Sequence, residues 1–305
     1  MKISTSTDYH FKLFGEKNAL KVFKDAGFDA LDYSLFTHND YGPTAKGEIC
    51  ELYSRPKNEV LEYFSDIKRV ADTVGIEIGQ VHAPFPSYTS SNPEANANIL
   101  KLLDLSVEIT AALGSEYLII HPACTKGRIY DIGVEECKAV NMELYGALIP
   151  TAKKCGVKIC TENMWTVDPA TNKKCATVCS HAHELADYVD TLNEMAGERI
   201  FYVCLDVGHT SLTDDDPAEA LRILGDRTAT LHIHDTDGIV DSHTLPYLGV
   251  VKWDSFFTAM RETGYKGNFN FEAANFFKNF GKEFINESSK FMCDLAKMVI
   301  KKYGL

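Results

Sequence analysis

Several large classes of protein are excluded by what this chain lacks. No hydrophobic run approaches the roughly 20 apolar residues that cross a bilayer, so no membrane-spanning helix is expected. The opening MKISTSTDYH enters a strand-like segment without the apolar core of a secretory signal. Basic residues are scarce, with 31 Lys and Arg against 43 Asp and Glu and a net charge of −12. That speaks against a general affinity for nucleic acid, where cations must displace condensed counterions. No glycine-rich phosphate fingerprint follows any apolar run, and there is no P-loop. The nine cysteines are odd in number and show no framework spacing, so no disulfide scaffold is expected. Cys155, Cys160 and Cys204 lie within apparent strands or helices, as buried free thiols do, which points to a reducing cytoplasmic setting.

What is present is ordinary for a globular protein: 45% apolar and 24% charged residues over a length of 305. No linker, charge block or low-complexity tract interrupts the chain, so one domain over residues 1–305 is expected. Strand-like and helix-like segments alternate throughout. The strand-like runs are 2–7, 30–36, 77–85, 116–123, 157–163, 200–207, 229–235 and 268–274. The amphipathic runs between and after them are 18–27, 58–74, 94–113, 134–155, 183–195, 217–224, 253–263 and 282–302. Gly27, Gly75, Gly114, Gly156, Gly197, Gly225 and Gly264 stand near the helix-to-strand turns, where a left-handed cap ends a helix. Eight such units predict an α/β fold, a closed (β/α)₈ TIM barrel, with a doubly wound open sheet as the runner-up. Loops 37–57 and 236–252 are long, and in a barrel both follow strands and lie at the catalytic face.

Acidic and imidazole residues end the apolar runs in a fixed order. Glu162, Asp206, His232 and Glu272 close the fifth to eighth strands, which are neighbours around a barrel. Any one of them alone reads as a solvated strand end. Four at one end of consecutive strands need partners or a metal to offset desolvation. Three carboxylates and one imidazole suit Mn²⁺, Mg²⁺ or Co²⁺ and tolerate Zn²⁺, with Mn²⁺ expected. Around this set stand His82 and His121, ending strands three and four, and His209, three residues past Asp206. His209 reads as a substrate contact in preference to a ligand, His82 and His121 read as substrate contacts ahead of second-metal ligands or plain polar mouth residues, and Asp241 and His243 in the following loop are candidates for a further metal. Trp165 either stacks on a sugar face or packs a lid, Tyr9, His10 and Phe36 are candidates for the pocket wall, and His234 receives no firm role. The run CATVCSHAH (175–183) has the residues for zinc, but Ser180 reads better as a helix N-cap with Glu184 in the first turn.

The motifs HAPF, HPA, EN, LDVGH, HIHDTDG, LPYLG followed by VKWDSF, and FEA stand in this order. In that order the chain resembles the xylose-isomerase-like barrel superfamily over essentially its whole length. Within it, the resemblance is to the sugar phosphate isomerase/epimerase group and the ketose 3-epimerases. The resemblance implies one metal on Glu162, Asp206, His232 and Glu272, with the two glutamates as the catalytic proton-transfer pair and His209 on the substrate. It implies isomerisation or epimerisation of a sugar, sugar phosphate or polyol through a metal-stabilised enediolate. A homodimer or homotetramer is also implied by the relatives.

The chain is similar to endonuclease IV as well. That family's nine zinc-ligand positions match His82, His121, Glu162, Asp206, His209, His232, Asp241, His243 and Glu272. A zinc phosphodiesterase acting on abasic DNA is therefore the principal alternative, opposed by the acidic charge and the absence of clustered Arg and Lys. A metal-dependent lyase on oxidised glycosides or inositol derivatives, and a non-catalytic sugar-binding barrel, are the remaining readings.

Overall fold

The apolar runs form strands where their spacing predicts them. The computed structural model describes residues 1–124 and 133–305. In chain order its strands are β1 (Ile3–Ser6), β2 (Ala30–Ser34), β3 (Glu77–His82), β4 (Tyr117–Ile120) and β5 (Lys158–Glu162), then β6 (Trp165–Val167), β7 (Lys174–Ala176), β8 (Phe201–Asp206), β9 (Thr228–His232) and β10 (Phe269–Phe271). The helices are α1 (Asp8–Phe14), α2 (Glu16–Ala26), α3 (Tyr41–Ala45), α4 (Lys57–Val74), α5 (Pro93–Ala112) and α6 (Val134–Cys155), then α7 (Ala182–Ala196), α8 (Val207–Leu212), α9 (Pro217–Leu224), α10 (Trp253–Thr263) and α11 (Ile285–Tyr303).

Eight strands pair in parallel in the order β10-β1-β2-β3-β4-β5-β8-β9. The ring closes just beyond β9, where the Ile233 amide donates to Asn270 O at 2.8 Å and the Glu272 amide to Ile233 O at 3.2 Å. This is the (β/α)₈ barrel. The β6–β7 pair is a separate antiparallel hairpin in the loop after β5, a segment that reads in sequence as polar loop. No described helix is long and apolar enough to cross a membrane.

The surrounding helices form for the usual reasons. In α4, Val60, Phe64, Ile67 and Ala71 recur at helical spacing and are fully buried. Gly75, at φ 77° and ψ 38°, ends that helix in the left-handed region open to glycine. In α9, Pro217 occupies the first turn, and the Asp216 carboxylate accepts from the amides of Ala218 and Glu219.

The barrel interior is not uniform. On one side Ser4, Asp32, Gln80 and Asn270 are buried and hydrogen-bonded to one another. Elsewhere Ile119, Cys160 and Cys204 pack together. A β-bulge makes the polar side possible. The register between β2 and β3 shifts so that Asp32 pairs with Gln80 and Gly79 is the extra residue. A Cβ on Gly79 would fall 2.2 Å from the Asn268 side-chain nitrogen.

Two expectations about the pocket wall change here. Tyr9 and His10 lie in α1 and not on a strand end. His10 is buried against Ser289, at 2.8 Å, and against Phe23 and Phe277, so it belongs to the core. Phe36 lies in a 3₁₀ turn and stacks on Phe85 with ring centroids 4.0 Å apart.

Candidate metal centre

At the C-terminal ends of the strands the predicted ligands converge on one imidazole. His232 Nδ1 lies 3.0 Å from Glu162 Oε1, 3.2 Å from Glu272 Oε2 and 3.8 Å from Asp206 Oδ2. Glu162, Asp206 and His232 are buried, and Glu272 is nearly so. Burial pushes the Glu162 carboxyl up, but His232 and His121 outweigh it and hold it well below the usual carboxylate range. Glu272 experiences the same contest and is likewise held low, by His232 and His243. The imidazole shift is the mirror image. Burial disfavours the charged His232, yet Cys204, Glu272 and Glu162 raise it well above its ordinary value.

Two further groups flank this one. On the first side, His121 Nε2 lies 3.2 Å and His82 Nε2 3.5 Å from Glu162 Oε2, with 3.1 Å between the two nitrogens. Burial is opposed at His82 by Glu162, which lifts it to about 9, whereas at His121 burial prevails and lowers it. On the second side, Asp241 Oδ2 accepts Trp165 Nε1 at 3.1 Å and lies 3.0 Å from His243 Nε2 and 3.3 Å from His209 Nε2. Burial at His243 is outweighed by Glu272 and Asp241, which raise it to about 10.

Three of the flanking imidazoles are turned inward by their outer nitrogens. Nδ1 of His82, His209 and His243 faces the carbonyls of Ala83, Asn163 and Glu272 at 2.8, 2.9 and 2.8 Å. A proton on Nδ1 donated to a carbonyl leaves the Nε2 lone pair free, the arrangement of metal-ligating histidines. The donor atoms of Glu162, Asp206, His232 and Glu272 fall within 4.8 Å of one another, as do those of His82, His121 and Glu162 and those of His209, His234, Asp241 and His243. Among the described residues, Glu162 Oε2, Glu272 Oε2 and Asp241 Oδ1 are buried without a hydrogen-bond donor. Orphaned anionic oxygens facing imidazole nitrogens are costly unless a cation sits among them. The residues present therefore fit divalent metal.

The local fold explains how these side chains are held. Asp206 ends β8, and its Oδ1 accepts the His209 amide at 2.6 Å, starting α8 and placing His209 one turn on. Asn163 locks β5 to β8 by donating to Asp206 O at 2.9 Å and accepting the Asp206 amide at 2.7 Å. Asp235 organises the loop that carries Asp241 and His243. Its carboxylate accepts the amides of Thr236, Gly249 and Val251 and, at 2.7 Å, Trp253 Nε1. A Cβ on Gly249 would meet Asp235 Oδ1 at 2.4 Å, which accounts for the glycine of LPYLG.

Four site residues escape the sequence reading. His234 is fully buried, with Nε2 3.0 Å from both Asp206 oxygens. Its ring occupies the space that a Cβ on Gly208 would need, 2.0 Å away. Asn163 and Asp235 were hidden inside motifs, and Asp32 inside an apolar strand. One assignment is corrected: Ser180 is not the cap of α7, which His181 precedes. Its hydroxyl instead accepts the Thr177 amide at 2.7 Å and donates to Met164 O at 2.5 Å, securing the hairpin loop. Cys175 and Cys179 join none of the metal-competent groups, and His181 pairs with Asp215 at 2.7 Å.

The groups open into a cavity of about 670 Å³, walled by Tyr41, Phe85, Tyr88, Met164 and Trp165 together with serine and threonine hydroxyls. A volume of that size is usual for a small-molecule site. Trp165 lines it, with Lys174 Nζ 3.3 Å from its ring centroid. One indole face is thus already covered.

Comparison with known proteins agrees with this architecture. The model of the xylose isomerase-like TIM barrel family matches residues 20–294. The uncharacterised protein y4fM of Sinorhizobium fredii is 24% identical over 282 residues, covering 85% of this chain and 81% of its own. A D-tagatose 3-epimerase-like protein superposes with a TM-score of 0.72 at 19% identity, over 100% of this chain and 98% of its own. The IolI protein, solved with a zinc atom bound, gives 0.70 at 19% identity over 99% of both chains. At these identities the likeness is one of fold.

Proposed function

The chain belongs to the xylose isomerase-like TIM barrel family, and on that premise we propose that it is a divalent-metal-dependent isomerase or epimerase of a small sugar or polyol. One observation carries the reading. Glu162 and Glu272 reach His232 Nδ1 from β5 and from the end of β10, on the two sides of the β8–β9 pair, at 3.0 and 3.2 Å. Two carboxylates so placed can serve opposite faces of one carbon.

Glu162, Asp206, His232 and Glu272 would hold the metal. When bound, a divalent cation would supply Lewis-acid polarisation of a carbonyl and the neighbouring hydroxyl, which would acidify the C–H between them. The residues do the rest. Glu162, held ionised by His232 and His121, accepts the carbon-bound proton. Glu272, ionised at rest, takes a proton from solvent and delivers it to the opposite face, which inverts the centre, while Glu162 gives its proton up to solvent; delivery to the adjacent carbon gives an aldose–ketose exchange instead. His82, His121 and His209 line the cavity beside this pair, within reach of substrate hydroxyls.

The test is incubation with sugars, polyols and keto-glycosides in D₂O. Carbon-bound deuterium in recovered substrate supports the reading, and loss of a substituent in place of exchange would replace it with elimination. A second reading has its own observation. All nine positions shared with endonuclease IV come together in three groups, which suits phosphodiester hydrolysis by several zinc ions. Cleavage of abasic-site DNA with steep salt dependence would favour it over the first.

A further inference from the structure

We propose that Asp32 is the positioning carboxylate that makes His232 coordinate metal through Nδ1 and makes the central group the first to fill. This rests on the reading of Glu162, Asp206, His232 and Glu272 as a metal site.

Asp32 lies in the middle of β2 and is 1% exposed. Its Oδ2 sits 3.1 Å from His232 Nε2, the ring nitrogen turned away from the ligand carboxylates. The same oxygen accepts Gln80 Nε2 at 2.9 Å and Asn270 Nδ2 at 3.1 Å. Asn270 is itself fixed by Ser4, whose hydroxyl donates to Asn270 Oδ1 at 2.7 Å. The carboxylate is thus held from three directions, and the β2–β3 bulge sets Gln80 opposite it. A bare carboxylate buried in mid-strand requires such partners.

The contrast with the other imidazoles gives Asp32 its meaning. His82, His209 and His243 direct Nδ1 at neutral backbone carbonyls and present Nε2 to the cavity. His232 alone among these four is reversed, and its outer partner is a side-chain carboxylate in place of a backbone carbonyl. Charge-assisted hydrogen bonds are roughly twice as strong as neutral ones. A carboxylate behind an imidazole also raises its basicity toward metal, and losing such a partner typically costs about 10–100-fold in affinity. His232 should therefore be the best nitrogen donor of the set.

The experiment titrates metal-free protein with Zn²⁺ against a chromophoric chelator, for the wild type and Asp32→Asn. It is paired with long-range ¹H–¹⁵N spectra of the imidazoles in wild type holding one equivalent. The proposal expects a first equivalent tighter than any later one, and His232 protonated at Nε2 with a metal-shifted Nδ1. Asp32→Asn should weaken that first equivalent by about 10–100-fold and leave later ones in place. Unchanged affinity in the variant, or a wild-type His232 bound through Nε2, overturns the proposal and leaves the functional reading standing. Wild type that binds no zinc overturns both. The spectra need no variant, so a poorly folded Asp32→Asn does not spare the proposal.

Discussion

The two flanks of the central group are built differently. His82 and His121 stand at the ends of barrel strands, so their positions follow from the ladder itself. Asp241 and His243 stand on a long loop and depend on Asp235, which gathers three amides and an indole N–H from the loop and the start of α10. His243 even adopts a positive φ of 42°, a conformation that a non-glycine residue holds only when its surroundings impose it. The strand-borne flank is made rigid by the fold, and the loop-borne flank by one buried carboxylate. The two should therefore fail independently.

The largest expected effect lies between the flanks. Glu162→Gln and Glu272→Gln should each lower turnover by roughly 10²–10⁴-fold, measured as deuterium exchange with the responding substrate. Near-normal activity in either would discard the two-base mechanism. Asp235→Ala addresses the asymmetry directly. It should cost about 3 kcal/mol of stability in chemical denaturation, because four donors lose a buried charged acceptor. It should also weaken metal binding at Asp241 and His243 while His82 and His121 are unaffected; equal loss on both flanks would erase the distinction.

His10 sharpens the comparison from outside the centre. Among the described residues it is buried with a serine and no carboxylate beside it, and burial lowers it to about 4. The unfolded chain takes up this proton first, near pH 6.5. Stability from this residue is complete above that pH and is lost as the pH falls toward 4, about 3 kcal/mol in all. His10→Gln should flatten that limb of the acid-denaturation curve. The smallest effect belongs to Trp165→Phe, which keeps an aromatic ring, though a smaller one, and removes one donor to Asp241. About 1 kcal/mol in affinity at the loop-borne flank is expected from metal titration.

The same contrast governs what could be read from the sequence. Strand-borne residues were legible because a polar residue ending an apolar run announces both its place and its direction. Asp241 and His243 had no such signal and stood out only as ligand-type residues in a long loop at the catalytic face. Asp32 was missed because ALDYSLF reads as a pocket-facing strand end, yet a charge in mid-strand was itself the clue. Asp235 looked like one more acidic residue in HIHDTD, since its partners lie up to 18 residues ahead. Ser180 misled because its preference for helix starts is real, but the hydroxyl was already committed to the hairpin loop.

The central claim is that Glu162 removes and Glu272 replaces a carbon-bound proton of a metal-polarised sugar. Its most direct test is proton NMR of a sugar and polyol panel incubated in D₂O with metal-loaded enzyme, beside Glu162→Gln loaded identically. The account predicts exchange at one carbon of a responding substrate, lost in the variant. Exchange that persists in Glu162→Gln, or no exchange across the panel while abasic-site DNA is cleaved, would contradict it.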